Sequence, residues 1–364
     1  MKILWTLPSI SIRHDVIYAN RVLSIGQFCI RAAWLPVLPR RIVIALNGVF
    51  IMVNAFIQER ELFPPAMPFR SGFLQRDKHE IYYEQCGNLD GQPLLFLHGG
   101  PGAGIAPAHR RLFDPKRFHV VLFDQRGCGQ SRPHASLEDN QTDALIGDIE
   151  ALRSSLNIDK LVLFGGSWGS TLALAYAIAY PEHVTGLILR GIFLGTRAEV
   201  DWFLNDMGRF FPEAHERFTG HLDAAERGDL LTNYFKRLID PDPAIHQKAA
   251  EFWASYETSC STLRAGNRYM GGVGALTMAR IEAHYFVNDC FMPDNHIMDN
   301  VGRIAHLPAT IVQGRHDVIC PPITASCLAA KWGHKAKLAI IDAAGHSTFE
   351  SGIAHALMAA LEEI

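Results

Sequence analysis

The sequence lacks the features that characterise nucleic-acid-binding, metal-binding and disulfide-stabilised proteins. Its 34 Lys and Arg residues nearly balance 37 Asp and Glu residues, and no basic run is present, so we expect no nucleic-acid partner. It contains no Cys-x-x-Cys, no His-Glu-x-x-His and no cluster of His and Cys, so we expect no metal and no cofactor. Seven cysteines, an odd number, indicate reduced thiols and a cytoplasmic location.

Long hydrophobic runs are also scarce. The clearest is 42–57, IVIALNGVFIMVNAFI, whose sixteen residues include Asn47 and Asn54 and fall short of the roughly 20 needed for a membrane-spanning helix. Three interpretations stay open: a membrane anchor, a helical extension packed on the main domain, or translated upstream sequence. We favour an upstream or dispensable extension over 1–63, with a natural start at Met52. Membrane association is expected only if this extension is real.

The remaining sequence, which is 48% apolar over the whole chain, alternates between strand-like and helical patterns. A predicted hairpin over 72–86 precedes a series of short apolar strands, and a helix is predicted over 143–156. The apolar strands are predicted at 93–97, 118–123, 161–164, 184–189, 309–313 and 338–341. This order predicts an α/β protein with a mostly parallel central sheet and helices on both faces.

The alternation stops between 193 and 300, where aromatic and charged residues recur at helical spacing. We therefore predict an inserted helical cap domain over 193–300. The core would comprise 64–192 and 301–364, and a final helix is predicted over 354–363.

The strand at 161–164 leads directly into Gly165-Gly166-Ser167-Trp168-Gly169 and then into a small-residue helix. This is the G-x-S-x-G pattern of a nucleophile elbow, in which a sharp turn exposes the central serine above the sheet. Glycine on both sides allows the neighbouring backbone to approach closely. Ser167 is the predicted nucleophile.

A serine nucleophile needs a base, and that base needs an orienting acid, each on a loop after a later strand. The strand at 309–313 is followed by Asp317, and the strand at 338–341 is followed by His346. His316 is a weaker candidate for the base, because choosing it would leave the later loop without a role. The sequence therefore predicts a Ser167–Asp317–His346 triad.

The oxyanion formed during acyl transfer needs two N–H donors. One should be the backbone N–H of Trp168, directly after the nucleophile. The other should come from the loop after the strand at 93–97, His98-Gly99-Gly100-Pro101-Gly102, and we assign it to the backbone N–H of Gly100. His98 is expected to orient this loop.

Several of these segments together resemble the prolyl aminopeptidases, also called proline iminopeptidases, of the α/β-hydrolase fold. The resemblance runs from about residue 68 to the C-terminus, including the cap. The segments that carry it are HGGPG (98–102), DQRGCGQS (124–131), DALIGDIEALR (143–153), GGSWGS (165–170), GRHD (314–317) and AGHS (344–347). The resemblance implies a serine exopeptidase that releases N-terminal proline from small peptides.

The resemblance also implies residues for substrate binding. Glu257 and Glu282 match cap motifs whose carboxylates hold the secondary ammonium of proline, and Phe193 and Phe203 match positions that pack on its ring. Position 203 is commonly Tyr in the family, so a hydroxyl is missing here. The alternative hypothesis is an esterase or amidase of the same fold that accepts another acyl group. The two glutamates argue against it.

Overall fold

The computed structural model describes residues 61–264 and 269–364, together with four backbone strands in the N-terminal part of the chain. The chain divides into two compact units, Met1–Glu59 and Arg60–Ile364. The predicted cap and both core segments lie in the second unit, whereas the predicted extension corresponds closely to the first.

The N-terminal strands form one antiparallel sheet in chain order. They are β1 (Leu23–Ile25), β2 (Phe28–Ile30), β3 (Arg41–Leu46) and β4 (Val49–Asn54). Most of the apolar run 42–57 is therefore in strands, which contradicts the helical interpretation. Its β-branched residues favour strands, and Asn47-Gly48 is a typical hairpin sequence. Among the described residues, no helix has the length and apolar character to cross a membrane.

The second unit contains an eight-stranded sheet in the order β12-β11-β10-β9-β7-β8-β6-β5. Strands β7 to β12 are parallel, and the hairpin β5–β6 adds two antiparallel strands at one edge. The strands are β5 (Arg70–Arg76), β6 (His79–Gly87), β7 (Gln92–Leu97), β8 (Phe118–Phe123), β9 (Leu161–Ser167), β10 (Val184–Ile192), β11 (Ala309–Gly314) and β12 (Ala336–Ile341). The predicted mostly parallel sheet is confirmed.

Alternate residues of the central strand β9 face two separate hydrophobic cores, as the period of a strand requires. Leu161 and Leu163 lie in one core, and Val162 and Phe164 lie in the other. The first core also contains residues of α1 (Thr142–Ser155), α2 (Trp168–Ala179) and α9 (Pro322–Trp332), and the second contains residues of α10 (Ser351–Glu362). Helices therefore cover both faces of the sheet.

In the described residues, six α-helices lie between β10 and β11, in the segment predicted to be the cap. They are α3 (Arg197–Leu204), α4 (Pro212–Gly220), α5 (Leu230–Leu238), α6 (Pro243–Cys260), α7 (Gly272–Val287) and α8 (His296–Asn300). Stacked aromatic rings join three of them: the ring of Phe218 lies 4.4 Å from that of Tyr234 and 4.6 Å from that of Tyr256. This packing holds α6, one of the helices that bears a candidate substrate-binding glutamate, against its neighbours.

Candidate active site

Ser167 is the last residue of β9, immediately before α2, and its backbone is strained. Its φ of 58° and ψ of −130° lie in a region that side chains rarely adopt. A Cβ added at Gly165 would lie 2.1 Å from the carbonyl oxygen of Gly169, and one at Gly169 would lie 2.1 Å from that of Leu97. The turn therefore requires both glycines, as the elbow pattern predicts.

Asp317 and His346 lie together at the carboxyl ends of β11 and β12. Oδ2 of Asp317 is 2.8 Å from Nδ1 of His346. The same carboxylate accepts hydrogen bonds from the side-chain amide of Gln313 at 3.0 Å and from the backbone N–H of Cys320 at 2.8 Å. These bonds fix the carboxylate, which in turn fixes the imidazole ring with Nε2 directed away from Asp317.

Ser167 and His346 line one cavity of about 230 Å³, but within the described part of the chain no hydrogen bond joins them. Instead, Nη1 of Arg190 lies 3.0 Å from Nε2 of His346 and donates to the backbone carbonyl of the same residue at 2.9 Å. The guanidinium of Arg190 packs on the Cα of Gly166, where an added Cβ would lie 2.5 Å from Nη2. The structure thus brings the three predicted residues to one cavity and places a fourth among them.

The loop after β7 lies beside the elbow, where the second oxyanion donor is expected. Gly100, which has φ of +105°, lines the cavities that also contain Ser167. A Cβ added at Gly99 would lie 3.3 Å from the Cβ of Ser167. A side chain at Gly99 would crowd the nucleophile, so glycine favours this close approach of the loop. The assignment of the Gly100 and Trp168 N–H groups as donors stays a prediction.

His98 orients this loop through a buried network. Its Nε2 accepts from the backbone N–H of Gln125 at 3.0 Å, and its carbonyl accepts from the Gln125 side-chain amide at 2.9 Å. Burial lowers the pKa of His98 to about 4, so the ring is neutral near pH 7. The expected orienting role of His98 agrees with these bonds.

Glu257 of α6 and Glu282 of α7 meet on the cap side of Ser167. All three line a cavity of about 20 Å³ that Phe193 and Phe203 also line. The indole N–H of Trp253 donates to Oε2 of Glu282. The structure therefore places the four predicted substrate-binding residues around one small cavity beside the nucleophile.

The two glutamates share a hydrogen bond, and both are deeply buried. Burial raises the pKa of Glu257 to about 7, although this hydrogen bond and the charge of Arg190 act in the opposite direction. Burial, followed by the charge of Glu257, raises the pKa of Glu282 well above its usual value. Oε2 of Glu257 has no hydrogen-bond partner among the described residues. When it is ionised, a buried carboxyl group with a free oxygen can bind a positively charged group.

Phe193 and Phe203 form an aromatic wall with Phe286. The ring of Phe286 lies 5.9 Å from each of the other two. Thr171, in the helix after the nucleophile, donates from Oγ1 to the carbonyl of Phe193 at 2.7 Å. This hydrogen bond ties the position of the wall to that of the elbow.

Sequence reasoning missed Arg190, Gln125 and Cys320. The available signal for Arg190 was a single charged residue in the apolar strand pattern VTGLILRGIF, at the carboxyl edge of the sheet. Its contact with His346 joins residues 156 positions apart, which no local pattern reveals.

Cys320 lines the small cavity, and burial raises the pKa of its thiol. In the described part of the chain, no group of His, Cys, Asp and Glu could hold a metal ion.

Comparisons with known proteins agree with this architecture. Residues 92–353 match the α/β-hydrolase fold family. The chain is 47% identical over 319 residues to the proline iminopeptidase of Arabidopsis thaliana, covering 85% of this chain and 84% of that protein. It is 44% identical over 310 residues to the proline iminopeptidase of Xylella fastidiosa strain 9a5c, covering 83% and 99% of the two chains.

Solved structures show the same fold at lower identity. A proline iminopeptidase-related protein from Thermus thermophilus has a TM-score of 0.52 and 22% identity, covering 81% of this chain and 96% of that one. An esterase from Exiguobacterium antarcticum has a TM-score of 0.52 and 19% identity, covering 81% and 99%. Fold, motifs and identity together show that the chain belongs to the proline iminopeptidase family of α/β-hydrolases.

Proposed function

We propose that this protein is a serine exopeptidase that releases proline from the N-terminus of small peptides through an acyl-enzyme. The observation that carries the proposal is the buried Glu257–Glu282 pair, which lies in the same small cavity as Ser167. Relatives named proline iminopeptidase, at 43–47% identity, support the same activity.

In this mechanism Ser167 attacks the carbonyl carbon of the N-terminal proline. His346 takes the serine proton on Nε2 and then donates it to the leaving nitrogen, while Asp317 keeps Nδ1 protonated and stabilises the imidazolium. Because Arg190 lies 3.0 Å from Nε2 in the free enzyme, its guanidinium must shift before the proton can transfer. Water then attacks the acyl-enzyme with His346 again acting as base, which releases proline.

Charge that develops on the carbonyl oxygen is stabilised by the backbone N–H groups of Gly100 and Trp168. The Trp168 donor lies at the N-terminus of α2, where the helix dipole also favours negative charge. Neither donor needs to reorganise during the reaction if the loop and the elbow are held rigidly, and that rigidity is the function we assign to His98.

The carboxyl pair selects substrates with a free, protonated amine. When Glu257 is ionised, its unpaired oxygen attracts the secondary ammonium of an N-terminal proline, and Glu282 can supply a second oxygen. A blocked N-terminus carries no positive charge and would leave the buried carboxylate unpaired, which is costly. The pyrrolidine ring packs against Phe193 and Phe203 when the small cavity widens to admit it.

The test compares proline arylamide with N-acetyl-proline arylamide. Wild type should cleave the free-amine substrate at least about a hundredfold faster, and Ser167→Ala should abolish the reaction. Glu257→Gln should weaken binding of the free-amine substrate while the protein stays folded. Equal cleavage of the acetylated substrate would overturn the amine-recognition proposal. Faster cleavage of simple carboxylic esters than of proline amides would favour the esterase alternative.

For location, we propose the cytoplasm. The cysteines of the described residues, 86, 128, 260, 290, 320 and 327, are all free thiols, and five of them are buried. Such usage is typical of a reducing compartment. Fractionation of cells that produce the tagged protein tests this proposal, and recovery of the folded protein outside the cytoplasm would contradict it.

A further inference from the structure

Arg190 is a buried cation without a direct ion pair, although the charges of Asp317 and Glu257 act on it at longer range. Arg190 is only 8% exposed. Within 61–264 and 269–364, no carboxylate forms an ion pair with its guanidinium. Nη1 bonds both to Nε2 and to the carbonyl of His346, whereas Nε is buried without any hydrogen-bond partner. A guanidinium presents five N–H donors, and burying it with some of them unpaired is unfavourable. This arrangement indicates a site for an anionic or strongly polar ligand group.

The position of Arg190 identifies which part of a substrate could reach it. Two cavities meet at Ser167: the small one is lined by both glutamates, and the larger one, of about 230 Å³, is lined by Arg190, His346 and also Glu257. The small cavity, of about 20 Å³, must widen to take the N-terminal proline beside the two glutamates, and the part of the larger cavity near Arg190 and His346 then receives the leaving group. At about 30 Å³ per water, its volume equals that of about eight waters, which is enough for roughly one amino-acid residue.

Covalent geometry makes the contact specific. To receive a proton, the leaving nitrogen must come within about 3 Å of Nε2 of His346. Nη1 of Arg190 already lies 3.0 Å from that same atom. The carboxyl carbon of the leaving residue is only two bonds of about 1.5 Å from its nitrogen. A carboxylate there therefore falls within hydrogen-bond reach of the guanidinium.

We propose that Arg190 binds the α-carboxylate of the residue that follows proline, so that the enzyme prefers Pro-Xaa dipeptides to longer or amidated peptides. This inference rests on the proposed function and names its substrate class. In a longer peptide, the same carbon bears a neutral amide, which is a weaker partner for a guanidinium. Binding of the carboxylate also draws the guanidinium away from Nε2 of His346, which frees the base when a dipeptide is present.

The negative charge that Glu257 carries when it is ionised makes the prediction sharper. Without Arg190, this carboxylate near the nucleophile would repel a substrate carboxylate. Removal of the guanidinium should therefore reverse the preference instead of only weakening it. A role limited to packing would change both substrates equally.

The experiment measures kcat/KM for Pro-Phe and for Pro-Phe-amide, whose scissile bonds join the same two residues. We expect wild type to prefer the dipeptide by about tenfold or more, as a charge-assisted hydrogen bond implies. Arg190→Met should prefer the amide, and Arg190→Lys should retain a reduced preference for the dipeptide. Arg209→Met is the matched control, because Arg209 is an exposed cap residue whose side chain is 79% accessible, and it should behave as wild type.

A second measurement does not depend on any variant. Free phenylalanine should inhibit wild type at about tenfold lower concentration than phenylalanine amide, for the same reason. Equal rates for the two substrates, equal inhibition by the two products, or an unchanged preference in folded Arg190→Met would overturn the proposal. If wild type cleaves proline arylamide but treats the two dipeptide substrates alike, only this inference fails. If it does not cleave proline arylamide, the proposed function itself fails.

Discussion

The indole N–H of Trp168 donates a hydrogen bond of 2.9 Å to Oε1 of Gln125. Trp168 follows the nucleophile, and Gln125 lies in the loop after β8, so this bond joins the elbow to a neighbouring loop. The side-chain NH₂ of Gln125 donates to the carbonyl of His98, the first residue of the loop that carries Gly100. One buried side chain therefore connects the two segments that we expect to supply the oxyanion donors.

Gln125→Glu should lower kcat for proline arylamide with little change in KM. The carboxylate can still accept from Trp168, but it cannot donate to the carbonyl of His98 and would repel it. We expect a loss in kcat of about a hundredfold, similar to the loss of one oxyanion donor. Trp168→Phe, which removes the indole N–H and part of the buried ring but keeps the bond from Gln125 to His98, should cost less in kcat. A change confined to KM or to thermal stability would contradict this role.

Asp317→Asn should reduce kcat by about a thousandfold or more, because the imidazole would lose the acceptor that sets its tautomer. The amide NH₂ would also face the donors Gln313 or Cys320, both of which now bond to the carboxylate. Steady-state kinetics together with a melting curve separates the loss of catalysis from unfolding. Retention of more than a tenth of the wild-type kcat would exclude Asp317 as the orienting acid.

The dependence of kcat/KM on pH should report the ionisation of Glu257. Its pKa of about 7 lies above the usual value, so the carboxylate that attracts a substrate ammonium forms only as the pH rises through that range. The ratio of wild-type to Glu257→Gln kcat/KM should therefore grow several-fold from about pH 5.5 to about pH 8. Any other group that titrates alike in both proteins cancels in this ratio. A ratio that does not change with pH would count against the assignment.

Glu257→Gln should also change how stability depends on pH. A carboxyl whose pKa is raised by folding stabilises the protein below its unfolded value of 4.5 and loses that contribution as the pH rises through about 7. The glutamine side chain of the variant cannot ionise, so the variant does not lose this stability as the pH rises. The variant should therefore gain thermal stability relative to wild type, by a few degrees, at about pH 8 but not at about pH 5. Parallel Tm curves for the two proteins would disagree with a buried, titrating Glu257.

Phe193→Ala should raise KM for proline arylamide more than KM for alanine arylamide. The ring of Phe193 is buried beside Phe286 and lines the cavity assigned to the pyrrolidine. Removing it deletes apolar contact that only the larger substrate makes, which we expect to cost about tenfold in kcat/KM. Leu204→Ala, in the same cap but outside that cavity, controls for a general loss of packing. Equal effects on both substrates would remove Phe193 from the specificity site.

The features of this protein that depend on short sequence patterns were predictable from the sequence. Apolar period, glycine placement and chain order predicted the parallel sheet, the elbow at Ser167 and the loops that carry Asp317 and His346. These features depend on contacts between near neighbours or on the rule that parallel strands end at one edge, so a linear pattern contains them. Of the three interpretations left open for 42–57, the strands Arg41–Leu46 and Val49–Asn54 contradict the helical one, and the β-branched residues and Asn47-Gly48 are the signal that favours strands there.

Contacts between residues far apart in the chain decided the features of the site that the sequence did not predict. The sequence by itself determined the fold class, the order of the candidate triad and, through family motifs, the two cap glutamates. Only the tertiary structure placed Arg190 against His346 and joined Trp168 to His98 through Gln125. It also buried Glu257 and Glu282 together, which raises both pKa values. The burial of a carboxyl group and its contact with other charged groups depend on residues far apart in the chain. These two factors, and not residue identity alone, govern the charge state of the site.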